Sequence, residues 1–234
     1  MINDIQRRRY CYHEAGHAVA WLVNGDTIQL VVGDPDAPLT EDQERMREQI
    51  QEARAITGDE TVKLAGGYTV ARVNEHSCPR CEGAIKADPS NEYTAKFQLS
   101  ADCPPCMELL TNYLKCMLAG EAATIRLDRE TSNPDALNTV AGLANEAVKN
   151  LKDSRSGARN DYLQADRLLK SLVHDDVNAL RIKEEAQSRA QRLVKLEWNA
   201  MSALADSLFQ ERVLEGSRPE HLIKANLSVP NRQP

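Results

Sequence analysis

A chain of 234 residues, 41% apolar and 27% charged, is long enough to bury one large core and reads as globular. Its formal charge of −6 gives none of the basic footprint that nucleic-acid binding requires, and no run approaches the roughly 18 apolar residues needed to span a bilayer. Aromatic residues are only 4%, and the middle and C-terminal thirds are rich in Ala, Leu, Glu, Lys, Arg and Gln, which predicts a largely helical protein.

Met1 to Arg9 is polar and lacks the apolar stretch of a secretory leader, so a cytoplasmic location is expected. Thiols stay reduced there, and six cysteines then point to metal or to buried thiols ahead of disulfides. Arg7, Arg8 and Arg9 read as a solvated helix face.

The first helix is expected from about Asn3 to Asn24. Asn3 and Gln6 form a capping-box pattern, and Gly25 can end the helix in the left-handed conformation. Tyr12, Ala15, Gly16, Val19, Leu22 and Val23 make a core-facing stripe at helical spacing. Beside it lies "HEAGHAVA", residues 13 to 20. Residues four apart share a helix face, so His13 and His17 can offer two imidazoles to one tetrahedral zinc. Glu14 then stands beside the ion, placed to take and return a proton. A catalytic zinc needs a third protein ligand as well.

"TIQLVV", residues 27 to 32, reads as a strand closed by Gly33. Thr40 with Gln43 opens a polar helix to about Ile56, whose thin stripe (Met46, Ile50, Ala53) suggests a surface insertion. "GGYTVARV", residues 66 to 73, reads as a second strand. Cys78-Pro-Arg-Cys81 and Cys103-Pro-Pro-Cys106 follow, 21 residues apart and flanking the strand-like "NEYTAKFQLS". Four thiolates in this spacing suit a structural zinc, and a polar insertion without a core of its own is where a metal is needed. His76 is a further candidate ligand, while Cys11 and Cys116 read as buried small side chains.

Helices are then expected from about Met107 to Arg126, from Asn133-Pro134, from near Asp161, and as one long element from about Asp176 to Arg212. Residues 227–234 read as a loose tail.

"HEAGHAVA" resembles the zinc-site helix of the FtsH-type metalloproteases. "TIQLVV" with "GGYTVA" is similar to that peptidase domain's strand pair, which borders the substrate cleft, and "MLAGEAAT" to its Leu-Gly-Gly-Arg-Ala-Ala segment. "SGARNDYLQA", residues 156 to 165, resembles the family's Thr-Gly-Ala-x-Asn-Asp turn, whose Asp is the third zinc ligand. The resemblance implies that His13, His17 and Asp161 hold a catalytic zinc, with Glu14 as base. It places Asp161 at the start of a helix, held rigidly and aided by the helix dipole; Asp135 is the rival third ligand by spacing. Gly66, Gly67, Tyr68, Thr69 and Val70 would pair with an extended peptide as an added strand.

The departures are substantial. The sequence has no Walker-type phosphate loop, no membrane anchor is expected, and segments 34–60, 74–106 and 128–155 are extra. The expected architecture is thus α+β and mainly α: a zincin-like peptidase domain over residues 1–226, with a small β-sheet, a long C-terminal helix and an inserted zinc knuckle. The expected activity is stand-alone, ATP-independent hydrolysis of unfolded or short polypeptides with one catalytic and one structural zinc. Neither nucleic acid nor membrane insertion is expected, and a homo-oligomer is compatible with the sequence. The alternative is a non-enzymatic zinc-binding adaptor or regulator on the same fold.

Overall fold

A computed structural model describes residues 3–56, 67–131 and 157–228. In chain order the elements are α1 (Asp4–Val23), β1 (Thr27–Val32), α2 (Glu41–Ile56), β2 (Tyr68–Arg72), β3 (His76–Ser77), β4 (Ala84–Asp88), β5 (Asn91–Gln98), α3 (Pro104–Thr131), α4 (Gly157–Leu172), α5 (Asp176–Leu196), α6 (Trp198–Glu211), β6 (Val213–Glu215) and α7 (Ser217–Asn226). The fold is α+β and mainly helical, with two small antiparallel sheets ordered β2-β1-β6 and β3-β4-β5. Among the described residues no helix is long and apolar enough to cross a membrane.

Asn3 caps α1 by accepting the Gln6 amide at 2.8 Å, and Gly25, at φ +97°, leaves the helix left-handed where a side chain would be strained. α1 differs from the one-faced helix that its apolar stripe suggests. Every residue from Cys11 to Ala20 is buried, because α1 packs against α3, α6 and β1 together. It is the central helix of the main core, and the polar residues of "HEAGH" are enclosed with it. The three arginines ahead of this stretch are paired rather than free: Arg7 lies over the Phe209 ring, Arg8 is 3.6 Å from Asp206 and Arg9 is 3.1 Å from Asp128.

The box at Thr40 closes in both directions: Gln43 N–H donates to Thr40 Oγ1 at 3.3 Å, and Thr40 N–H to Gln43 Oε1 at 2.9 Å. The helix it opens does more than decorate the surface. Met46 of α2 packs with Leu39 and Val213 against Leu30, Val32, Tyr68 and Val70, the small apolar cluster on the outer face of the first sheet.

The cysteine-bearing insertion forms a three-stranded sheet, in which β3 and β4 join the expected strand β5. α3 is longer than expected at both ends, beginning on Pro104, a residue suited to the first helical position, and continuing past Arg126 to Thr131. The single helix expected from Asp176 to Arg212 is two, broken at Glu197. The cause lies elsewhere in the chain. The Arg126 guanidinium donates to the Val194 and Lys195 carbonyls, the Ser228 hydroxyl donates to that of Leu196, and the Ser228 amide donates to Glu197 Oε2 at 2.8 Å. These partners satisfy the backbone groups that the break exposes. The helix expected from Asn133-Pro134, the rival Asp135 and Gly66 lie outside the described residues.

α1 and α3 approach each other closely at Gly16. A Cβ on Gly16 would stand 2.5 Å from the Ala119 carbonyl oxygen and 2.9 Å from Ala123 Cβ. Alanine is ordinarily the better helix former by about 1 kcal/mol, but here it collides with backbone that cannot swing aside. Gly16→Ala should therefore lower stability by about 1–3 kcal/mol, the usual range for overpacking, seen as a fall in the urea midpoint. An unchanged or raised midpoint would mean that α3 moves aside freely.

Candidate metal centres and active site

His13, Glu14 and His17 share the buried middle of α1, at 7%, 4% and 8% exposure. Asp161 reaches them from α4, 144 residues along the chain from His17. Its Oδ2 lies 3.1 Å from both His13 Nε2 and His17 Nε2, and the two nitrogens are themselves 3.1 Å apart. Asp161 stands one turn inside α4, which begins at Gly157, and not at the helix start. The imidazoles therefore hold its charge, with little help from the helix dipole, whose effect is confined to the end turn.

The tautomer of His17 makes this triangle informative. A carbonyl only accepts, so the 2.9 Å contact of His17 Nδ1 with the Cys116 oxygen puts the proton on Nδ1. The lone pair of neutral His17 is then on Nε2, aimed at a carboxylate oxygen and a second imidazole nitrogen. Three such atoms, each with a lone pair to offer, could hold one metal ion among them. Four tetrahedral ligands, each about 2.0–2.1 Å from a zinc ion, lie about 3.3 Å apart, close to the spacing seen. The donor set fits zinc.

Without a metal, a proton takes that place. Burial opposes a charge on His17, but Asp161 outweighs it through charge and a hydrogen bond, and the imidazole is pushed up to about 9. Burial likewise works to raise Asp161, yet the two imidazoles hold it well below the usual carboxylate range. Glu14 goes the other way, raised chiefly by burial against the pull of His13 and His17. Thr69 Oγ1 stands 2.9 Å from Glu14 Oε2 and 3.1 Å from the Glu14 carbonyl oxygen.

Two glycines make room for the set. Any Cβ on Gly120 of α3 would run into the His17 and His13 rings, and one on Gly67 would sit 2.7 Å from Glu14 Cγ and collide with the Val32 carbonyl. Glu121, next to Gly120, has its carboxyl raised by burial, with His13 and Arg9 pulling it down. The Cys116 carbonyl, Gly120, Glu121 and the Thr69 hydroxyl are absent from the sequence reading of this site. Gly120 and Glu121 left a trace only as part of "MLAGEAAT", and Thr69 only as a main-chain partner for substrate.

The second cluster is built by the turn after β3 and the head of α3. Sγ distances are 3.6 Å for Cys78–Cys103, 3.7 Å for Cys81–Cys103 and 3.3 Å for Cys81–Cys106. Four sulfurs about 2.3 Å from one zinc would be about 3.8 Å apart. No disulfide joins them, and one ion could be held by all four. The amides of Arg80 and Gly83 donate to Cys78 Sγ and Cys81 Sγ, each at 3.4 Å, and the Arg80 amide leads the causes that lower the Cys78 thiol toward thiolate. Gly83 is obligatory, since a Cβ there would be 2.5 Å from Cys106 Sγ. His76 takes no part: its Nε2 hydrogen-bonds Asp26 Oδ1 at 3.0 Å. Cys11 and Cys116 are fully buried elsewhere, their thiols pushed up to about 12 by burial.

A cation entering the His13–His17–Asp161 triangle must displace the proton on His17. Since that proton leaves only near pH 9, apparent zinc affinity should rise about tenfold per pH unit from pH 6 to pH 9 and then level off, with about one proton released per ion at neutral pH. Titrations at several pH values, with the cysteine cluster kept filled, measure both. An affinity already flat above pH 6.5 would show that His17 carries no raised proton affinity.

No protein-family model matches this chain, and no curated protein matches it.

Proposed function

We propose that this chain is a zinc-dependent metalloendopeptidase that cleaves short or unfolded polypeptides without ATP. The observation that carries the reading is Glu14: an enclosed carboxylate on the same helix turn as the two histidines of a two-histidine, one-aspartate ligand set. A pure scaffold has no use for a buried acid there, since an unneeded charge is costly to enclose. The FtsH-type pattern of His13, Glu14, His17 and Asp161 supports the same assignment.

His13, His17 and Asp161 would hold the ion. Zinc, when bound, supplies a Lewis acid that polarises the scissile carbonyl and makes a water acidic enough to attack it. Glu14 accepts the proton of the attacking water and delivers it to the departing nitrogen; its raised pKa, nearer neutrality than a free carboxyl, suits a group that must do both. β2 is an edge of its sheet, paired with β1 through Val31 opposite Thr69. An extended peptide adding to that edge would be held by main-chain hydrogen bonds, with its carbonyls passing Glu14. A second zinc at Cys78, Cys81, Cys103 and Cys106 would be structural, tying the β3–β5 insertion to the head of α3.

Glu14→Gln should keep zinc and fold while peptide hydrolysis falls by about 10²–10⁴-fold, the usual contribution of a general base. In the wild type, unfolded chains should be cut, tightly folded domains spared, and ATP should change nothing. A wild type inert across a broad peptide library would favour the adaptor reading.

The cysteine cluster is tested by metal analysis. Two zinc ions per chain are expected, and changing Cys78 and Cys81 to Ser should remove one while the His13–His17 site stays loaded, because the two sites share no ligand residue. Loss of both ions together would show that the second cluster is required to form the first.

A further inference from the structure

We infer that the Thr69 side chain is the positioning residue for Glu14, its hydroxyl fixing the carboxylate at the rotamer that faces the His13–His17–Asp161 cluster. This rests on the peptidase reading above and assigns Thr69 a task apart from any main-chain contact of β2 with substrate.

Several observations converge. Thr69 is half-buried between Tyr68 and Val70, which are both buried in the small cluster on the outer face of the sheet. Strand alternation therefore sends Thr69 to the opposite face, over α1. There Oγ1 meets two oxygens of one residue, Glu14 Oε2 at 2.9 Å and the Glu14 carbonyl at 3.1 Å. A hydroxyl has one proton to give. In a helix the Glu14 carbonyl already accepts from the amide four residues on. The carboxylate offers the stronger, charge-assisted bond, so the proton goes to Oε2. Threonine is branched at Cβ and stiff about χ1, which turns the contact into a fixed post instead of a swinging donor.

Glu14 needs such a post. Its long side chain has several rotamers, and Gly67, whose bare backbone packs close against Glu14 Cγ, offers no side-chain donor to choose among them. Misplacing a reacting group by about 1 Å costs up to about 100-fold in rate. A buried carboxylate without its donor would also look for another partner, and the nearest cationic ones are the metal-site imidazoles.

The test compares Thr69→Val, which keeps the shape and removes the hydroxyl, with Thr69→Ser, which keeps the hydroxyl. On a short peptide, Thr69→Val should lose about 10- to 100-fold in kcat, with KM and zinc content unchanged and the fold retained. Thr69→Ser should recover most of that loss, and Thr69→Val added to Glu14→Gln should cost nothing more, because its whole effect passes through Glu14. Crystal structures taken before metal is added should show Glu14 Oε2 against residue 69 in the wild type and Thr69→Ser, and displaced in Thr69→Val. An undiminished kcat in Thr69→Val, an additive loss on Glu14→Gln, or a Glu14 unmoved in the Thr69→Val crystal would each overturn the inference. A wild type inert on peptides would fail the peptidase reading alone, since the crystal structures still decide whether Thr69 holds the carboxylate.

Discussion

The close seating of α3 on α1 is the constraint from which the rest of the molecule follows. Small residues at Gly16, Ala119 and Gly120 let the two helices approach until backbone meets side chain. At that distance the Cys116 carbonyl reaches His17 Nδ1 and sets its tautomer, while Gly120 leaves the flat space that both imidazoles occupy. A larger residue at either glycine would separate the helices and turn the histidines away from Asp161. The packing of the core and the chemistry of the site are thus one contact seen from two sides.

α3 is also where the two clusters are joined. Its first turn carries Cys106, its middle carries Cys116 and Gly120, and farther on Arg126 ties off the carbonyls at the end of α5. A rigid helix of this length passes a displacement at its head directly along its axis. The cysteine cluster therefore anchors an element that the histidine site uses as a wall, although the clusters have no ligand residue in common.

Much of the fold was legible in the sequence where the determining chemistry is local. The Asn3 cap, the reciprocal Thr40–Gln43 box, the left-handed Gly25, strand β1 and each of the two Cys-x-x-Cys turns depend on residues a few positions apart. His13 and His17 were legible for the same reason, and Asp161 only by resemblance, since nothing near it in sequence says what it will meet. What escaped was decided at long range. Glu197 carries no helix-breaking signal; the break there is set by Arg126 and Ser228. The amphipathic stripe of α1 gave no sign that α6 and β1 would enclose its other faces. Thr69 read only as a main-chain partner for an extended peptide, because its bond to Glu14 spans 55 positions.

The span between His17 and Asp161 gives the site a history as well as a geometry. Translation proceeds at roughly 5–20 residues per second, so the aspartate is added about 7 to 30 seconds after the second histidine. Throughout that interval the growing polypeptide carries two imidazoles and an acid without the carboxylate that completes the triangle, and α5, which packs against α3, is later still. A ligand set assembled in this order stays incomplete until α4 has been made. The same wide separation ties competence to the native state, since any opening that lifts α4 away from α1 dismantles the ligand set before the remainder of the protein comes apart.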